Sequence, residues 1–270
     1  MLPQTLLIPK EMLSFDKFDH IDLCVSAGND SSAMVLMMLH AYKAPKEKMR
    51  LIHFRIDGPK DDDHPVFFDW EQTEAHLDYL SHFFDIPLVT LWDEKGLKER
   101  IEDREMFPDA MNRFCTSYGK RDVYSKYVRR SDSSSSLCCS GELACESSRR
   151  RQYPSFEIHK ANADKRKNRV VQWFRPILHL SKIDVKALMK KYGVKEHECY
   201  QYVSRCSCKF CIFNTKSEMK VVAEMYPDDF KELKAMERRM GHTMRFKDNR
   251  AVPLCEFIEE NSPYQQLKLI

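Results

Sequence analysis

One stretch near the start of the chain, residues 21–39, most constrains what the protein can fold into. An apolar run at 21–25 is typical of a buried strand. A turn of small residues follows it, and then a segment that is apolar on every side, as in a buried helix. Gly28 can adopt a positive φ at little cost, and Asp30 and Ser31 fall in the first helical turn, where free N–H groups and the helix dipole favour an anion. The stretch therefore predicts a phosphate-binding turn, with ordinary helix capping by Asp and Ser as the alternative.

Further strands and helices alternate along the chain. The second and third strands are predicted at 49–56 and 87–92, with a helix over 65–84 between them. The remaining predictions are a charged helix at 96–113, a helix ending near Arg130, a low-complexity loop at 131–136, a strand at 137–141 and an exposed basic loop at 149–169. Such alternation implies right-handed crossovers and a three-layer α/β fold with a parallel sheet. Ligands of such sheets bind beyond the carboxyl ends of the strands, where Asp57 and Gly58 also lie.

The second half of the chain carries clear helix boundaries. Ser181 and Asp184 fit a capping box for a helix that stops at Gly193, and Thr215 with Glu218 repeats the device. Pro227 and Gly241 then suit the first turn and the end of another helix. These signals predict two units. The first, 1–211, is a nucleotide-binding α/β domain that includes a cysteine-rich segment at 199–211, and the second, 212–270, is a helical C-terminal appendage.

Composition narrows the class of protein. The 270 residues are 43% hydrophobic and 31% charged, as in a soluble globular protein, and the net charge of +3 is too small to indicate nucleic acid by itself. We find no apolar run near the roughly 20 residues of a membrane helix, and no signal peptide. Ten cysteines without a secretory signal predict a reducing, cytoplasmic location and a role in metal binding or catalysis.

The cysteine-rich segment has the spacing of a metal site. Four cysteines lie within thirteen residues: Cys199, Cys206, Cys208 and Cys211. The pair Cys208-x-x-Cys211 has the separation expected of two thiolates on one metal ion. Unpaired buried thiols are the alternative, and the spacing does not choose between zinc and an iron–sulfur cluster.

Several segments resemble the PP-loop ATP pyrophosphatases, the group that includes the phosphoadenosine-phosphosulfate (PAPS) reductase family. The turn at 26–31 resembles the family's S-G-G-x-D-S loop, with Ala27 in place of the first glycine; its methyl group requires a negative φ. Four further segments match in order: the Asp57-Gly58 turn, Arg113-x-Cys-Thr-x3-Lys120, Gly141 through Glu146-Ser147 to Arg149 (with Leu143 where the family has arginine), and Arg175-Pro-Ile. The resemblance covers roughly residues 20–212 and implies the adenine nucleotide alpha hydrolase-like (HUP-type) version of the α/β fold.

The resemblance also implies site residues. It places ATP and Mg²⁺ against Ser26, Ala27, Gly28, Asn29, Asp30, Ser31, Asp57, Gly58, Gly141, Glu146, Ser147, Arg149 and Arg175. The catalytic set is Asp30, Arg113 and Lys120, the last two stabilising charge on the α-phosphate. The cysteine segment is similar to that of phosphorothioation-type members with a [4Fe-4S] cluster, which Cys199, Cys208 and Cys211 match. Ser217 stands where the fourth ligand is expected, so Cys206, Cys255 or an external ligand would replace it, and Zn²⁺ stays open.

Three functions follow as hypotheses. The first is an ATP-dependent enzyme that adenylates a substrate with release of pyrophosphate, for sulfur transfer from a donor or partner subunit. The basic runs in 149–169 would then hold a nucleic acid or another polyanion, or form only a solvated surface. The second is a sulfonucleotide reductase for PAPS or adenylyl sulfate. That family carries a Glu-Cys-Gly-Leu-His segment, for which the tail offers only Leu254-Cys255-Glu256. The third is a nucleotide-binding module with little turnover.

Overall fold

The main sheet has six strands in the spatial order β3-β2-β1-β4-β6-β5. We describe it from a computed structural model that covers residues 14–247 and 250–259. The strands are His20–Val25 (β1), Met49–Arg55 (β2), Leu88–Trp92 (β3), Ser135–Ser140 (β4), Phe156–Ile158 (β5) and Val170–Phe174 (β6). Neighbouring strands are parallel except at one edge, where β5 pairs antiparallel with β6. The parallel α/β class predicted from the alternation of strands and helices is therefore confirmed.

Helices cover both faces of the sheet. In the described part of the chain they are Asn29–Leu36 (α1), Thr73–Phe84 (α2), Leu97–Asp103 (α3), Phe114–Thr116 (α4), Val123–Arg130 (α5), Asp164–Lys167 (α6), Lys182–Tyr192 (α7), Lys216–Met225 (α8), Pro227–Met240 (α9) and Leu254–Glu259 (α10). Helices α1, α2 and α7 pack through Met34, Leu80 and Leu188 on one face of the sheet. Helix α5 packs through Val123 and Val128 on the opposite face. These three layers bury apolar surface from both faces of the sheet, which is the main stabilising contribution in such folds.

A third apolar cluster lies beyond the carboxyl ends of the strands. It joins the segment after β2 and helix α3 to the cysteine-rich segment and helices α8 and α9, for example through Phe68, Ile101, Phe210 and Leu233. A small hairpin, Phe246–Lys247 (β7) and Arg250–Ala251 (β8), precedes α10. The two-unit division at residue 211 stays a prediction, and residues 1–13, 248–249 and 260–270 of those units lie outside the described residues.

Local capping signals are confirmed. Ser181 accepts a hydrogen bond from the backbone of Asp184 and completes a capping box on α7, which ends at Gly193 with a φ of +70°. Thr215 makes the same box on α8. Pro227 opens α9. None of the helices in the described residues is long and apolar enough to cross a membrane.

Four sequence predictions of local structure are wrong in extent. The helix predicted over 65–84 begins only at Thr73, because the Asp57 carboxylate accepts the backbone N–H groups of residues 67–69 and holds them in a loop. The last two residues of the predicted loop 131–136 belong to strand β4. Asp19, which precedes β1, accepts the N–H groups of Ser134 and Ser135 at the start of this strand. The predicted basic loop 149–169 contains the edge strand β5, and the charged helix of 96–113 is only α3.

Candidate functional site

A cavity of about 330 Å³ lies at the carboxyl ends of β1 and β4. Most of the residues predicted for the site line it. From the turn after β1 and helix α1 these are Ser26, Gly28, Asp30 and Ser31. From other segments they are Arg113, Lys120, Gly141 and Glu146, with Cys206, Cys208 and Cys211 on the remaining wall. Segments separated by more than a hundred residues thus meet in one chamber, and the predicted contacts of these residues with a nucleotide stay predictions.

The turn after β1 has a backbone conformation that the sequence predicted wrongly. Ala27 has a φ of +61°, and Gly28 has a φ of −88°. The left-handed conformation therefore falls on the alanine, which is fully buried, and not on the glycine. A left-handed alanine is strained by roughly 1–2 kcal/mol. The turn is closed by Ser31, whose hydroxyl accepts the N–H of Ser26 at 3.2 Å and donates to the Gly28 carbonyl at 2.8 Å.

The cysteine-rich segment covers one side of this turn. The Tyr200 hydroxyl accepts the Asn29 N–H at 3.0 Å, and the Cys206 thiol lies 3.5 Å from the Ser26 carbonyl. Asn29 is therefore held by protein groups and does not line the cavity. The N–H groups of Asp30 and Ser31 belong to the first turn of α1, which an α-helix leaves without intrahelical partners. They donate to no residue in the described part of the chain and remain the donors for an anion.

Gly141 explains how strand β4 reaches this turn. A Cβ at this position would lie 2.8 Å from the Asp30 carbonyl oxygen and 3.0 Å from the Ser31 Cα. Only a glycine lets the end of β4 approach the first turn of α1 so closely. Its role in the described structure is thus to join two walls of the cavity.

We expect Gly141→Ala to lower the free energy of unfolding by about 1–3 kcal/mol, because the new methyl group meets backbone that must shift. Affinity for ATP, the ligand that the resemblance implies, should fall with it. Urea unfolding measures the first effect and calorimetry the second. Gly241→Ala is the control: that glycine has a φ of +60° but open space around it, so only the backbone strain of about 1–2 kcal/mol applies. Binding of ATP by Gly141→Ala as tight as that of wild type would contradict this role.

The cavity is lined by five cations and three carboxylates. The cations are Arg113, Lys120, Arg150, Lys182 and Arg205, and the carboxylates are Asp30, Glu142 and Glu146. Lys182 Nζ lies 2.6 Å from Asp30 Oδ2 and 3.4 Å from Glu146 Oε1. Arg150 also pairs with Glu146. The excess of positive charge suits a polyanionic ligand. Asp30, predicted as a catalytic and cofactor-binding residue, is paired with Lys182 in this structure.

Sequence reasoning missed several of these side chains. Lys182 follows the N-cap of a predicted helix, and Arg205 and Tyr200 lie in the cysteine-rich segment, where the cysteines carried the prediction. No motif marks any of them, so the fold alone brings them to the cavity. In the arginine run the motif indicated Arg149, whereas Arg150 lines the cavity and Arg149 is exposed. Ser147 is exposed as well and accepts the N–H of Arg150.

Asp57, Gly58 and Arg175 also lie off the cavity, and each has another role. Burial beside Asp69 raises the pKa of Asp57 to about 6. Gly58 has a φ of +92° and packs directly against Gly96. The Arg175 guanidinium is buried and binds two carboxylates, at 2.6 Å from Glu142 Oε2 and 2.5 Å from Glu157 Oε1. These residues build the frame around the cavity in the described structure.

The four cysteines predicted as metal ligands divide into two groups. The Cys199 thiol lies beside the Cys206 thiol and the His197 imidazole, with one ligand atom of each within 4.8 Å of the others. A hydrogen bond from the Cys206 thiol lowers the pKa of Cys199 to about 6. His197 Nδ1 accepts the Cys199 N–H at 3.1 Å, and its Nε2 lies 3.4 Å from the Thr73 hydroxyl. The imidazole already has partners on both nitrogens, so a Zn²⁺ ion would have to displace one of them.

The second group is in the cavity. Cys208 and Cys211 line it together with Cys115, which the sequence had placed in the Arg-Cys-Thr segment without a metal role. Burial raises the pKa of the Cys208 thiol, and the neighbouring thiols of Cys211 and Cys115 add to this effect. Cys206 and Cys24 line the cavity as well, so that five cysteines reach it. Cys24 belongs to strand β1, and the other four present the thiol ligands that an iron–sulfur cluster takes. Cys255, offered as a fourth ligand, is exposed on α10 and does not line the cavity.

Comparisons with known proteins find a similar sequence and similar solved structures. No protein-family model matches the chain. An uncharacterized 37.8 kDa protein in the gpa 5′ region of Escherichia phage 186 is 32% identical over 143 residues, which is 52% of this chain and 41% of the phage protein. The matched segment therefore spans less than half the length of that relative.

Two of the similar solved structures are a PAPS reductase and a tRNA thiolase. PAPS reductase from Candida auris, in a phosphate complex, matches with a TM-score of 0.45 and 13% identity over 70% of this chain and 80% of its own. The U34-tRNA thiolase NcsA from Methanococcus maripaludis, with its [4Fe-4S] cluster, matches with a TM-score of 0.46 and 13% identity over 92% of this chain and 84% of its own. The first is a PAPS reductase, as in the resemblance drawn from the motifs. At these scores neither likeness bears on the activity of this chain.

Proposed function

We propose that the chain is an ATP-dependent enzyme that adenylates an acceptor and releases pyrophosphate, for sulfur transfer to that acceptor. The observation that carries the proposal is the cavity in which the first turn of α1, five cations and five cysteines meet. An anion-binding helix terminus beside lysine and arginine suits a triphosphate, and thiols beside it suit sulfur chemistry.

The residues of the chain supply binding and charge neutralisation. The Asp30 and Ser31 N–H groups bind the terminal phosphates, and Lys182 binds a phosphate oxygen. The Asp30 carboxylate would hold Mg²⁺, which would neutralise charge on the phosphates. An acceptor oxygen then attacks the α-phosphorus, and the bond from this phosphorus to the oxygen that bridges to the β-phosphate breaks. Arg113 and Lys120 stabilise the charge that develops there. Pyrophosphate leaves with the electron pair of the broken bond.

Cys115, Cys206, Cys208 and Cys211 are the residues that would hold an iron–sulfur cluster. When bound, such a cluster supplies sulfur and redox chemistry next to the activated acceptor. Protein purified without oxygen should then be brown, and Cys208→Ser should lose the colour, whereas Cys145→Ser, an exposed cysteine outside the cavity, should keep it. A colourless wild-type protein that contains zinc would contradict the cluster.

A product assay tests the adenylation. Wild-type protein with ATP, Mg²⁺ and nucleic acid should release pyrophosphate, and we expect Asp30→Ala to lower the rate about 100-fold or more, since the metal ligand and a charge partner are lost together. Asp132→Ala removes an exposed carboxylate outside the cavity and should leave the rate unchanged. Sulfite released from PAPS in a parallel reaction would identify a reductase instead. Tight ATP binding without either product would identify a nucleotide-binding module.

A further inference from the structure

One aromatic ring is presented at the rim of the cavity. Phe213 lines the cavity yet keeps 39% of its surface exposed. The guanidinium carbon of Arg113 lies 5.0 Å from the centre of this ring, and that of Arg205 lies 5.7 Å from it. Both arginines line the cavity too. Three flat groups therefore stand together where the chamber opens to solvent.

The backbone that carries this ring is rigidly held. The Arg245 guanidinium donates to the carbonyls on either side of Phe213, at 2.7 Å to Ile212 and 2.8 Å to Asn214. The Phe213 N–H points at the Cys211 sulfur, 3.5 Å away. The capping box of α8 begins directly afterwards, at Thr215. The chain thus fixes the position of an apolar ring without burying it, which is the arrangement of a contact surface and not of a core residue.

The two arginines beside the ring have spare hydrogen-bonding capacity. Arg113 has no carboxylate within 4 Å among the described residues, and its hydrogen bond to the Thr116 hydroxyl is long, at 3.4 Å. Arg205 has one carboxylate contact, at 3.8 Å to Glu146. A guanidinium group packed on a ring keeps its N–H edge available for phosphate. Arg149 and Arg151 flank the cavity-lining Arg150 in the chain, and both are exposed.

We infer that Phe213, Arg113 and Arg205 form a stacking platform for an unpaired nucleobase, so that the acceptor of the proposed reaction is single-stranded nucleic acid. The inference rests on the proposed function. Unpaired bases stack on aromatic rings and guanidinium planes, whereas bases within a duplex have no free face. A small anion would use the arginines and ignore the ring. The ring therefore distinguishes a nucleic-acid strand from phosphate or sulfate.

Fluorescence anisotropy with a labelled single-stranded oligonucleotide tests the platform, in DNA and RNA versions and against the blunt duplex of the same sequence. We expect the single strand to bind more tightly than the duplex. Phe213→Ala should weaken single-strand binding about 5- to 100-fold, and Phe213→Trp should restore it. Phe213→Leu, which keeps apolar bulk without a π face, should behave like the alanine variant. Phe83→Ala removes an aromatic ring of similar exposure on α2, outside the cavity, and should change nothing.

Three results would overturn the inference. Wild type and Phe213→Ala could bind the single strand equally well, the protein could prefer the duplex, or it could bind neither oligonucleotide. Calorimetry with ATP separates this failure from failure of the proposed function. Bound ATP and released pyrophosphate in a protein that ignores oligonucleotides would leave the enzyme standing without the platform. Oligonucleotide binding that depends on Phe213, in a protein that does not turn over ATP, would leave the platform standing without the enzyme.

Discussion

Asp229→Ala is expected to lower the free energy of unfolding by about 3–5 kcal/mol, one of the two largest effects of a single substitution that the structure indicates. Asp229 is the carboxylate partner of Lys209, whose side chain is completely buried. Their N–O distance is 2.8 Å, and the ammonium also lies 4.2 Å from the centre of the Tyr226 ring. Without Asp229 a buried charge loses its direct partner, and the ring alone does not replace the hydrogen bond.

Thermal unfolding should show this loss as a fall in Tm of roughly 6–12 °C for a chain of this size. Two controls separate the buried pair from ordinary surface charge. Lys209→Met keeps the volume, removes the buried charge and leaves a carboxylate that is already partly solvated, so we expect a loss of only about 1 kcal/mol. Glu232→Ala breaks exposed ion pairs on the same helix and should cost less than about 1 kcal/mol. A smaller effect for Asp229→Ala than for Lys209→Met would contradict this assignment.

The same pair has a functional consequence because Lys209 lies between Cys208 and Cys211. Its N–H donates to the Phe68 carbonyl at 2.7 Å, and its carbonyl accepts from Asn214 at 2.7 Å. Asp229 on α9 thus anchors the backbone of the two cavity cysteines. We expect anaerobically purified Asp229→Ala to lose part of its brown colour at temperatures where the variant is still folded.

Sequence patterns predicted the parts of the fold that depend on local chemistry. The first three strands, the two capping boxes and the ends of α7 and α9 follow from apolar runs, hydroxyl caps and glycines within a few residues of each boundary. The start of α2 and the edge strand β5 do not. The first depends on a carboxylate ten to twelve residues upstream, and the second on pairing with β6 across the intervening segment that contains α6. Contacts of that kind leave no periodic signal.

The candidate site divides in the same way. Asp30, Arg113, Lys120 and Glu146 line the cavity as the motifs indicated, because ordered motifs record which strand ends meet. Phe213 carries no motif, and it reaches the rim because Arg245, in a segment thirty residues further on, holds its neighbours. The side chains that decide charge and specificity thus come from packing between distant segments.

Asp57→Ala is the second substitution with a large expected effect, a loss of about 3–6 kcal/mol in the free energy of unfolding at pH 5. The Asp57 carboxylate accepts three backbone N–H groups, from Phe67 at 3.1 Å, Phe68 at 2.8 Å and Asp69 at 2.9 Å. Each buried donor left without an acceptor costs about 1–3 kcal/mol. The loop that these bonds hold also carries Phe68 into the apolar wall of the cavity, so ATP affinity should fall as well.

The loss from Asp57→Ala should depend on pH in a way that a purely steric role would not produce. Burial and the neighbouring Asp69 raise the pKa of Asp57 to about 6 in the folded state, above its ordinary value. Between about pH 4 and pH 6 the folded protein therefore binds a proton that the unfolded chain has released, and the contribution of this group falls as the pH rises through that window. Between pH 4 and pH 6 the free energy of unfolding of the wild type should fall by up to about 3 kcal/mol relative to that of Asp57→Ala.

Asp57→Asn is the control. It keeps the shape of the side chain and cannot titrate, so the difference in free energy of unfolding between Asp57→Asn and Asp57→Ala should stay constant with pH. Urea unfolding at pH 4, 5, 6 and 7 measures all three proteins, and a difference between wild type and Asp57→Ala that grew with pH would show that the carboxylate is stabilised as the anion by its three donors.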